Sequence, residues 1–258
     1  MNENKASFTA MMTAYMRAYY AMHSTEKVFD DFLAFQLLPK EKQSLVEQYL
    51  IETSPFNDSE HSMPCANKID TLAYIKHPTY AIVRARYAED TLEKAIKQRV
   101  KQYVILGAGL DTFAFRRPEM LEKLDVFEVD HPATQEFKLK RLAELGWKHP
   151  VKLHFIPIDF TKESLESVLT RSPSYDPKAK SFFSWLGVTM YLTREEVFAT
   201  LRSIAKVAPV GSMVVFDYLD PDMFLPENLS LKMQKIYSFQ LAFFGIPILP
   251  CCMVLPLS

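Results

Sequence analysis

The sequence predicts an α/β fold in which a doubly wound parallel sheet follows an N-terminal helical cap. From residue 103 onward, apolar runs of strand length alternate with helical segments, as in parallel sheets. The first run ends in Gly107-Ala108-Gly109, a turn that permits unusual backbone angles and close approach of a ligand. The first hundred residues show helical periodicity instead. We therefore expect a cap over 1–100 and an α/β domain over 101–258, within one structural unit.

Length and composition are those of an ordinary globular protein. The 258 residues are 48% hydrophobic and 24% charged, which allows one large domain with a substantial core. The net charge of −1 gives no electrostatic footprint for nucleic acid. Three cysteines form neither a metal-binding spacing nor an even disulfide framework, and the N-terminus lacks a signal-peptide pattern. We expect a reduced, cytoplasmic setting.

Periodicity predicts the individual elements. Within the cap, residues 54–67 are polar and contain two prolines, so we expect a loop or lid there. In the last cap helix the apolar stripe is predicted to be Val83, Tyr87, Leu92, Ala95 and Ile96. The predicted helices of the cap are 7–20, 28–38, 42–51 and 80–96. The predicted strands are 103–107, 126–129, 153–158, 182–188 and 213–219, and the helices between them are 132–145, 162–170 and 194–208.

The C-terminal residues 241–257 are strongly apolar. Pro247, Pro250 and Pro256 would break a helix there, and a membrane span normally needs about 20 apolar residues. We expect a buried strand or an irregular tail rather than a membrane span.

Three predicted strand ends carry residues suited to a nucleoside. Ligands of open α/β sheets bind at the carboxyl ends of the strands, near the point where strand order reverses. Gly107 follows the first strand, and Asp130 ends the second, where a carboxylate can accept both hydroxyl hydrogens of a ribose. After the third strand, Asp159 can accept from an adenine amino group, with Phe160 against the ring face.

The residues after the glycine turn favour one nucleoside cofactor over another. A dinucleotide site usually has a third glycine or alanine where this chain has Thr112, and Asp111 would oppose a nearby phosphate. The same aspartate is favourable beside a cation. S-adenosyl-L-methionine has a sulfonium cation and lacks phosphate, so we predict this cofactor rather than NAD.

Several motifs together resemble the leucine carboxyl methyltransferase-like family. The similarity is closer to its bacterial branch of S-adenosylmethionine-dependent methyltransferases, which includes polyketide carboxyl O-methyltransferases, and it covers roughly residues 8–220. The motifs are YVILGAGLDT at 103–112, FEVDHP at 127–132, FFSWLGVT at 182–189 and PVGS at 209–212.

The resemblance implies a class I methyltransferase fold and a role for each matched residue. By this similarity Gly107 lines the cofactor turn, Asp130 holds the ribose, and Asp159 and Phe160 flank the adenine. Arg84 matches the family arginine that reaches the methionine carboxylate, a good use of a charge-assisted bidentate pair. Arg86 remains an alternative to Arg84.

The sequence departs from the family pattern in two places. Eukaryotic members have an acid in the fourth-strand region that helps to bind the cofactor, and this sequence has Leu186 there. The family also usually continues for some tens of residues beyond the fifth strand to supply two more strands, one of them antiparallel. Only 38 residues, 221–258, follow here, so we expect the C-terminal strands to be incomplete.

The predicted function is O-methylation of a small-molecule carboxylate or hydroxyl. A carboxylate needs no general base because its ordinary pKa is about 4. A hydroxyl would need one, for which His131, His154 and Tyr191 are candidates, and no catalytic residue is assigned. We expect the substrate walls to come from residues 54–67 and from Thr13, Arg17 and Tyr20. The alternatives are a shortened, non-catalytic homologue that binds cofactor or a partner, and an NAD-linked oxidoreductase.

Overall fold

The computed structural model describes residues 6–52, 79–160, 162–219 and 250–257. Within them a six-stranded sheet has the order β3-β2-β1-β4-β5-β6. All neighbouring strands are parallel except β5 and β6, which are antiparallel. The strands are β1 (Gln102–Leu106), β2 (Asp125–Asp130), β3 (Leu153–Pro157), β4 (Ser181–Trp185), β5 (Met213–Leu219) and β6 (Pro250–Pro256). This arrangement confirms the predicted mixed α/β fold.

The strand order reverses at β1, which pairs with β2 on one side and β4 on the other. Every residue of β1 and β4 is buried, as expected for central strands covered on both faces. The carboxyl ends of β1, β2, β3 and β4 therefore meet at one edge of the sheet, and the glycine turn lies at the reversal point. In open α/β sheets this is where ligands bind.

The predicted helices lie within a few residues of observed ones, with one exception, and the two short helices between β1 and β2 were not predicted. The helices are α1 (Phe8–His23), α2 (Ala34–Leu37), α3 (Lys40–Glu52), α4 (Thr79–Lys97), α5 (Phe113–Arg116), α6 (Pro118–Leu121), α7 (Pro132–Glu144), α8 (Leu165–Arg171) and α9 (Arg194–Val207), with a 3-10 turn at Thr189–Tyr191. The predicted 28–38 helix is wrong: only its last part, α2, is helical. Asp31 is buried in the non-helical part, where its carboxylate accepts from Arg17 and Thr112.

The predicted apolar stripe of α4 is also wrong in part. Val83 and Tyr87 are 50% and 42% exposed. The inward face of the helix instead carries two charged residues, Arg84 and Glu89, beside its small apolar ones. Arg84 pairs with Asp217 and Glu89 pairs with Arg116, so both charges are compensated inside the protein. A stripe chosen by hydrophobicity alone excludes such residues.

At the C-terminus, β6 pairs with the whole length of β5, from Leu219 opposite Pro250 to Met213 opposite Pro256. The expectation of a strand in the apolar C-terminal segment is therefore confirmed. No helix in the described ranges has the length and apolar character needed to cross a membrane. The predicted loop at 54–67 and most of the segment after residue 220 lie outside the described residues.

Charged contacts join the cap helices to the loop after β1. Arg17 of α1 pairs with Asp31 at 2.7 Å and donates to the backbone oxygen of Leu110 at 2.9 Å. On its other side, Asp31 accepts from the Thr112 hydroxyl at 2.6 Å. Arg116 of α5 binds Glu89 of α4 through two of its nitrogens. The loop that follows the glycine turn is thus held from several directions.

A buried ion pair ties β2 to α7. The side chains of Glu128 and Lys138 are each only 1% exposed and are hydrogen-bonded, and Lys138 also donates to the backbone oxygen of Asp111 at 2.6 Å. Glu128 Oε1 is buried without a hydrogen-bond partner in the described structure. Burial raises the pKa of Glu128 to about 7, and Lys138 opposes that rise. Removing Lys138 would leave a buried carboxylate uncompensated.

We predict that Lys138→Met lowers the free energy of unfolding at pH 8 by roughly 3–5 kcal/mol, the usual effect of removing one partner of a buried ion pair. The pKa of Glu128 in the folded state lies above its unfolded value of 4.5. Its contribution to stability is therefore complete below pH 4.5 and decreases as pH rises through the folded pKa. Without Lys138 that pKa is higher still, so the loss should be larger at pH 8 than at pH 5.

Urea unfolding of both proteins at these two pH values measures the difference. Lys140→Met, two residues along the same helix at an exposed position, is the matched control and should change stability by less than about 0.5 kcal/mol. An equal loss for Lys138→Met at both pH values would contradict the role given to Glu128.

Candidate functional site at the carboxyl ends of the strands

The glycine turn after β1 is closely packed on two sides. Gly107 and Gly109 have φ angles of +70° and +55°, which residues other than glycine rarely adopt. A Cβ on Gly107 would lie 2.5 Å from Val188 Cγ2, and one on Gly109 would lie 3.0 Å from the Cβ of Ala10 in α1. The turn therefore fits between the segment after β4 and the cap helix only because it has no side chains there.

Asp130, at the end of β2, is bound to this turn. Its carboxylate accepts from the backbone nitrogen of Gly109 and, at 2.6 Å, from that of His131. Burial raises the pKa of Asp130, and the two backbone hydrogen bonds oppose the rise. A carboxylate has about four acceptor positions. Two are used by the backbone, which leaves enough for two hydroxyl groups.

Asp159 and Phe160 follow β3 at the same edge of the sheet. The backbone nitrogen of Ile158 donates to the backbone oxygen of Asp130 at 2.9 Å, so the ends of β2 and β3 are connected. The partly buried Asp159 carboxylate lies 2.8 Å from Lys162 Nζ. Phe160 is 46% exposed, which leaves much of its ring accessible to a ligand. Their adenine-binding role stays a prediction.

Arg84 and Arg86 occupy very different surroundings. Arg84 is buried, and its Nη1 lies 2.8 Å from Asp217 Oδ2. Its guanidinium packs against Gly187, where a Cβ would be 2.7 Å from Nη2. Arg86 is exposed and pairs with Asp90 one helical turn away. Because Val188 contacts the glycine turn and Gly187 contacts Arg84, the structure brings Arg84, and not Arg86, to the edge that carries Gly107.

Sequence reasoning missed Asp217, the buried acid of β5. It accepts from Arg84, from the Tyr80 hydroxyl and from the backbone nitrogen of Gly187. The signal was present: Asp217 is the single charged residue in the apolar run 213–219. A charge in a strand that otherwise reads as buried needs a buried partner. Leu186, which the sequence comparison aligned with an acid of the eukaryotic members, packs against the apolar core.

The three candidates for a general base are separated in the structure. His154 pairs with Asp125 at the start of β2, on the opposite edge of the sheet from the glycine turn. His131 caps α7, where its Nδ1 accepts from the backbone nitrogen of Ala133 at 3.3 Å. Tyr191 lies near Arg84 and Thr9, and its side chain is 49% exposed. Of the three, only Tyr191 is close to Arg84.

The predicted substrate walls on α1 are engaged in contacts within the cap. Arg17 is bound to Asp31 and to the loop after the glycine turn. Tyr20 bridges the backbone of Glu26 and Val28, and the Thr13 hydroxyl donates to the Thr9 oxygen. The Tyr191 hydroxyl lies near the side chain of Thr9 in α1. The first turn of α1, which contains Thr9, is therefore the part of the helix that lies near Tyr191.

The residues present fit the predicted cofactor. Asp130 lies against the glycine turn, where it accepts from the backbone nitrogen of Gly109, and it keeps acceptor capacity for ribose hydroxyls. Arg84 provides a cation at the same edge for a carboxylate. The chemistry of this set, an acceptor for hydroxyls and a fork of donors for a carboxylate, matches the ribose and the methionine end of S-adenosylmethionine.

Gly187 should be required for the position of Arg84. We predict that Gly187→Ala costs about 2–4 kcal/mol of unfolding free energy, from the backbone strain at φ +72° and from the close contact with the guanidinium. Gly146→Ala is the matched control, because Gly146 has a φ of +67° but nothing within 4 Å of the added Cβ. It should cost only about 1–2 kcal/mol. Equal losses in thermal or urea unfolding would show that the contact with Arg84 is unimportant.

Comparison with known proteins identifies the family. A family model described as leucine carboxyl methyltransferase matches residues 10–205. A Bacillus subtilis (strain 168) protein named "Putative S-adenosyl-L-methionine-dependent methyltransferase YktD" is 36% identical over 262 residues, which cover 97% of this chain and 83% of the relative. A Mycobacterium ulcerans protein with the same type of name is 32% identical over 137 residues, 53% of this chain and 44% of its own length. Both names include S-adenosyl-L-methionine, the cofactor that the sequence predicts.

A solved structure supports the fold. The structure described as "a putative methyltransferase from Thermobifida fusca YX" has a TM-score of 0.51 and 16% sequence identity, and the match covers 95% of this chain and 76% of that one. At this identity the likeness concerns the fold. Together with the family match over residues 10–205, it shows that the chain has the class I methyltransferase fold and belongs to the leucine carboxyl methyltransferase family.

Proposed function

We propose that this protein is an S-adenosylmethionine-dependent O-methyltransferase whose acceptor is a carboxylate of a small molecule. The observation that carries the proposal is the direct contact of Asp130 with the glycine turn, at the strand edge that Arg84 also reaches, in a chain of this family. Each of these residues supplies one type of contact that the cofactor needs.

The protein's contribution to methyl transfer is mainly alignment. When bound, the cofactor supplies an electrophilic methyl group on its sulfonium. Asp130 would accept from the ribose hydroxyls beside the glycine turn, and Arg84 would bind the methionine carboxylate. Asp159 and Phe160 would flank the adenine. Holding nucleophile, methyl and sulfur in line and free of water can lower a barrier by roughly 7–11 kcal/mol.

The surroundings of the candidate bases favour a carboxylate acceptor over a hydroxyl. The Tyr191 side chain is 49% exposed, and a phenol with an ordinary pKa of about 10 is protonated near neutral pH and can donate a hydrogen bond. His154 lies at the far edge of the sheet, and His131 caps a helix. A carboxylate acceptor is already ionised and needs no proton removed. In this proposal the Tyr191 hydroxyl helps to orient the acceptor.

Cofactor binding tests the first part of the proposal. We predict that S-adenosylhomocysteine, the product of methyl transfer, binds wild-type protein and binds Asp130→Asn roughly 10- to 100-fold more weakly, because hydrogen bonds to a charged acceptor are lost. Isothermal titration calorimetry measures both, with circular dichroism as the check on folding. The matched control is Asp125→Asn, at the opposite end of the same strand, which should bind as wild type does. A folded wild type that binds no S-adenosylhomocysteine would refute the proposal.

The choice between the two arginines has its own test. We predict that Arg84→Lys weakens S-adenosylhomocysteine binding about tenfold, because lysine keeps the charge but loses the planar fork of donors. Binding of 5′-methylthioadenosine, which lacks the amino-acid end, should change less than twofold. Arg86→Lys is the matched control and should leave both ligands unaffected. Loss of binding in Arg86→Lys alone would assign the contact to Arg86.

A product assay separates the acceptor groups. Protein incubated with S-adenosylmethionine labelled in its methyl group and a panel of small carboxylic acids and phenols should label the acids. Methyl esters release labelled methanol in mild base, whereas methyl ethers do not. Base-stable label alone would favour a hydroxyl acceptor, and cofactor binding without transfer to any acceptor of the panel would favour the non-catalytic alternative.

A further inference from the structure

Asp217 is a buried acid that the proposed mechanism does not yet use. It is 0% exposed near the carboxyl end of β5. Its Oδ2 accepts from Arg84 Nη1 at 2.8 Å and from the Tyr80 hydroxyl, and both oxygens are 2.9 Å from the backbone nitrogen of Gly187. Burial of a carboxylate is costly, and these donors offset that cost while they hold Asp217 and Arg84 in one arrangement.

The donors come from separate parts of the chain. Tyr80 and Arg84 lie one helical turn apart on α4, and Gly187 follows β4. The Thr189 hydroxyl, in the next turn, donates to the backbone oxygen of Asp217. The Arg84 guanidinium is also 4.6 Å from the centre of the Tyr80 ring. These contacts fix the guanidinium on three sides, by the carboxylate, the ring and the bare face of Gly187.

The charges of Arg84 and Asp217 also balance each other. Burial alone would lower the pKa of Arg84, but Asp217 and Tyr80 outweigh that effect and raise it. The guanidinium and the carboxylate are 2.8 Å apart. A lone buried arginine would favour an anionic ligand. An adjacent positive and negative charge suits a group that carries both signs, such as the α-carboxylate and α-ammonium of an amino acid. The acid that eukaryotic family members have in the fourth-strand region is Leu186 here, so position 186 supplies no negative charge for the ammonium group.

We propose that Asp217 is a positioning residue for the amino-acid end of the cofactor: it fixes Arg84 against Gly187 and makes the site select a zwitterion over an anion. This inference rests on the proposed function, since it concerns the same site. Asp217 acts through Arg84 and through its charge rather than by contact with the reacting atoms.

Three ligands that differ only at this end test the proposal by calorimetry. S-adenosylhomocysteine carries carboxylate and ammonium, its deamino analogue carries the carboxylate alone, and 5′-methylthioadenosine carries neither. In Asp217→Asn we expect S-adenosylhomocysteine to bind about tenfold more weakly and 5′-methylthioadenosine to bind within twofold of wild type. The preference for S-adenosylhomocysteine over its deamino analogue should fall about tenfold, because the pocket gains net positive charge.

Two further variants make the result specific. Asp90→Asn alters the exposed Arg86–Asp90 pair on the same helix and should change none of the three affinities. Tyr80→Phe removes one hydrogen bond to Asp217 without changing charge. It should weaken the binding of S-adenosylhomocysteine two- to fivefold and leave the binding of 5′-methylthioadenosine unchanged. The preference for S-adenosylhomocysteine over its deamino analogue should also be unchanged.

The outcomes separate this inference from the proposed function. Wild type that binds none of the three ligands would overturn both. Wild-type binding with an equal loss of all three ligands in Asp217→Asn would overturn only the inference, since Asp217 would then support the fold alone. An unchanged preference between S-adenosylhomocysteine and its deamino analogue would do the same. If Asp217→Asn does not fold, Tyr80→Phe decides. Weaker binding of S-adenosylhomocysteine alone would support the inference, and an equal loss of binding for all three ligands would overturn it.

Discussion

Charges buried away from water hold the candidate site in place. A charge without solvent must be paired, and three such pairs in the described residues join α4 or α7 to another element. Arg84 joins α4 to β5, Lys138 joins α7 to β2, and Glu89 joins α4 to the arginine of α5. Breaking one of these pairs would leave a buried charge without its partner, which costs free energy. The pairs therefore fix the helices and the strand ends relative to each other. The glycine turn lies among them.

Much of this architecture is readable from local sequence. The alternation of apolar-rich strands with helices predicts the sheet, since central parallel strands are covered on both faces, and every residue of β1 and β4 is buried. The glycine turn and Asp130 follow from the rule that ligands meet the carboxyl ends of strands. Their contact through Gly109 is what the structure adds.

The errors share one cause, which is that polar residues were read as surface. Asp31 interrupts a segment that has helical periodicity because its carboxylate is bound by residues 14 and 81 positions away. The inward face of α4 carries Arg84 and Glu89 because their partners lie on β5 and α5. Asp217 went unnoticed for the same reason. Long-range pairing of charges leaves almost no local pattern, so periodicity cannot find it.

The contact between Ala10 and Gly109 has a consequence for how this chain can change over evolution. The two positions are so close that a Cβ on residue 109 would be 3.0 Å from that of residue 10. A side chain at position 109 would require a smaller residue at position 10 or a shift of α1, although the two positions are 99 apart in the sequence. Glycine at 109 leaves no room for compensation in the other direction, so residue 10 of the cap must stay small for α1 to pack on this turn.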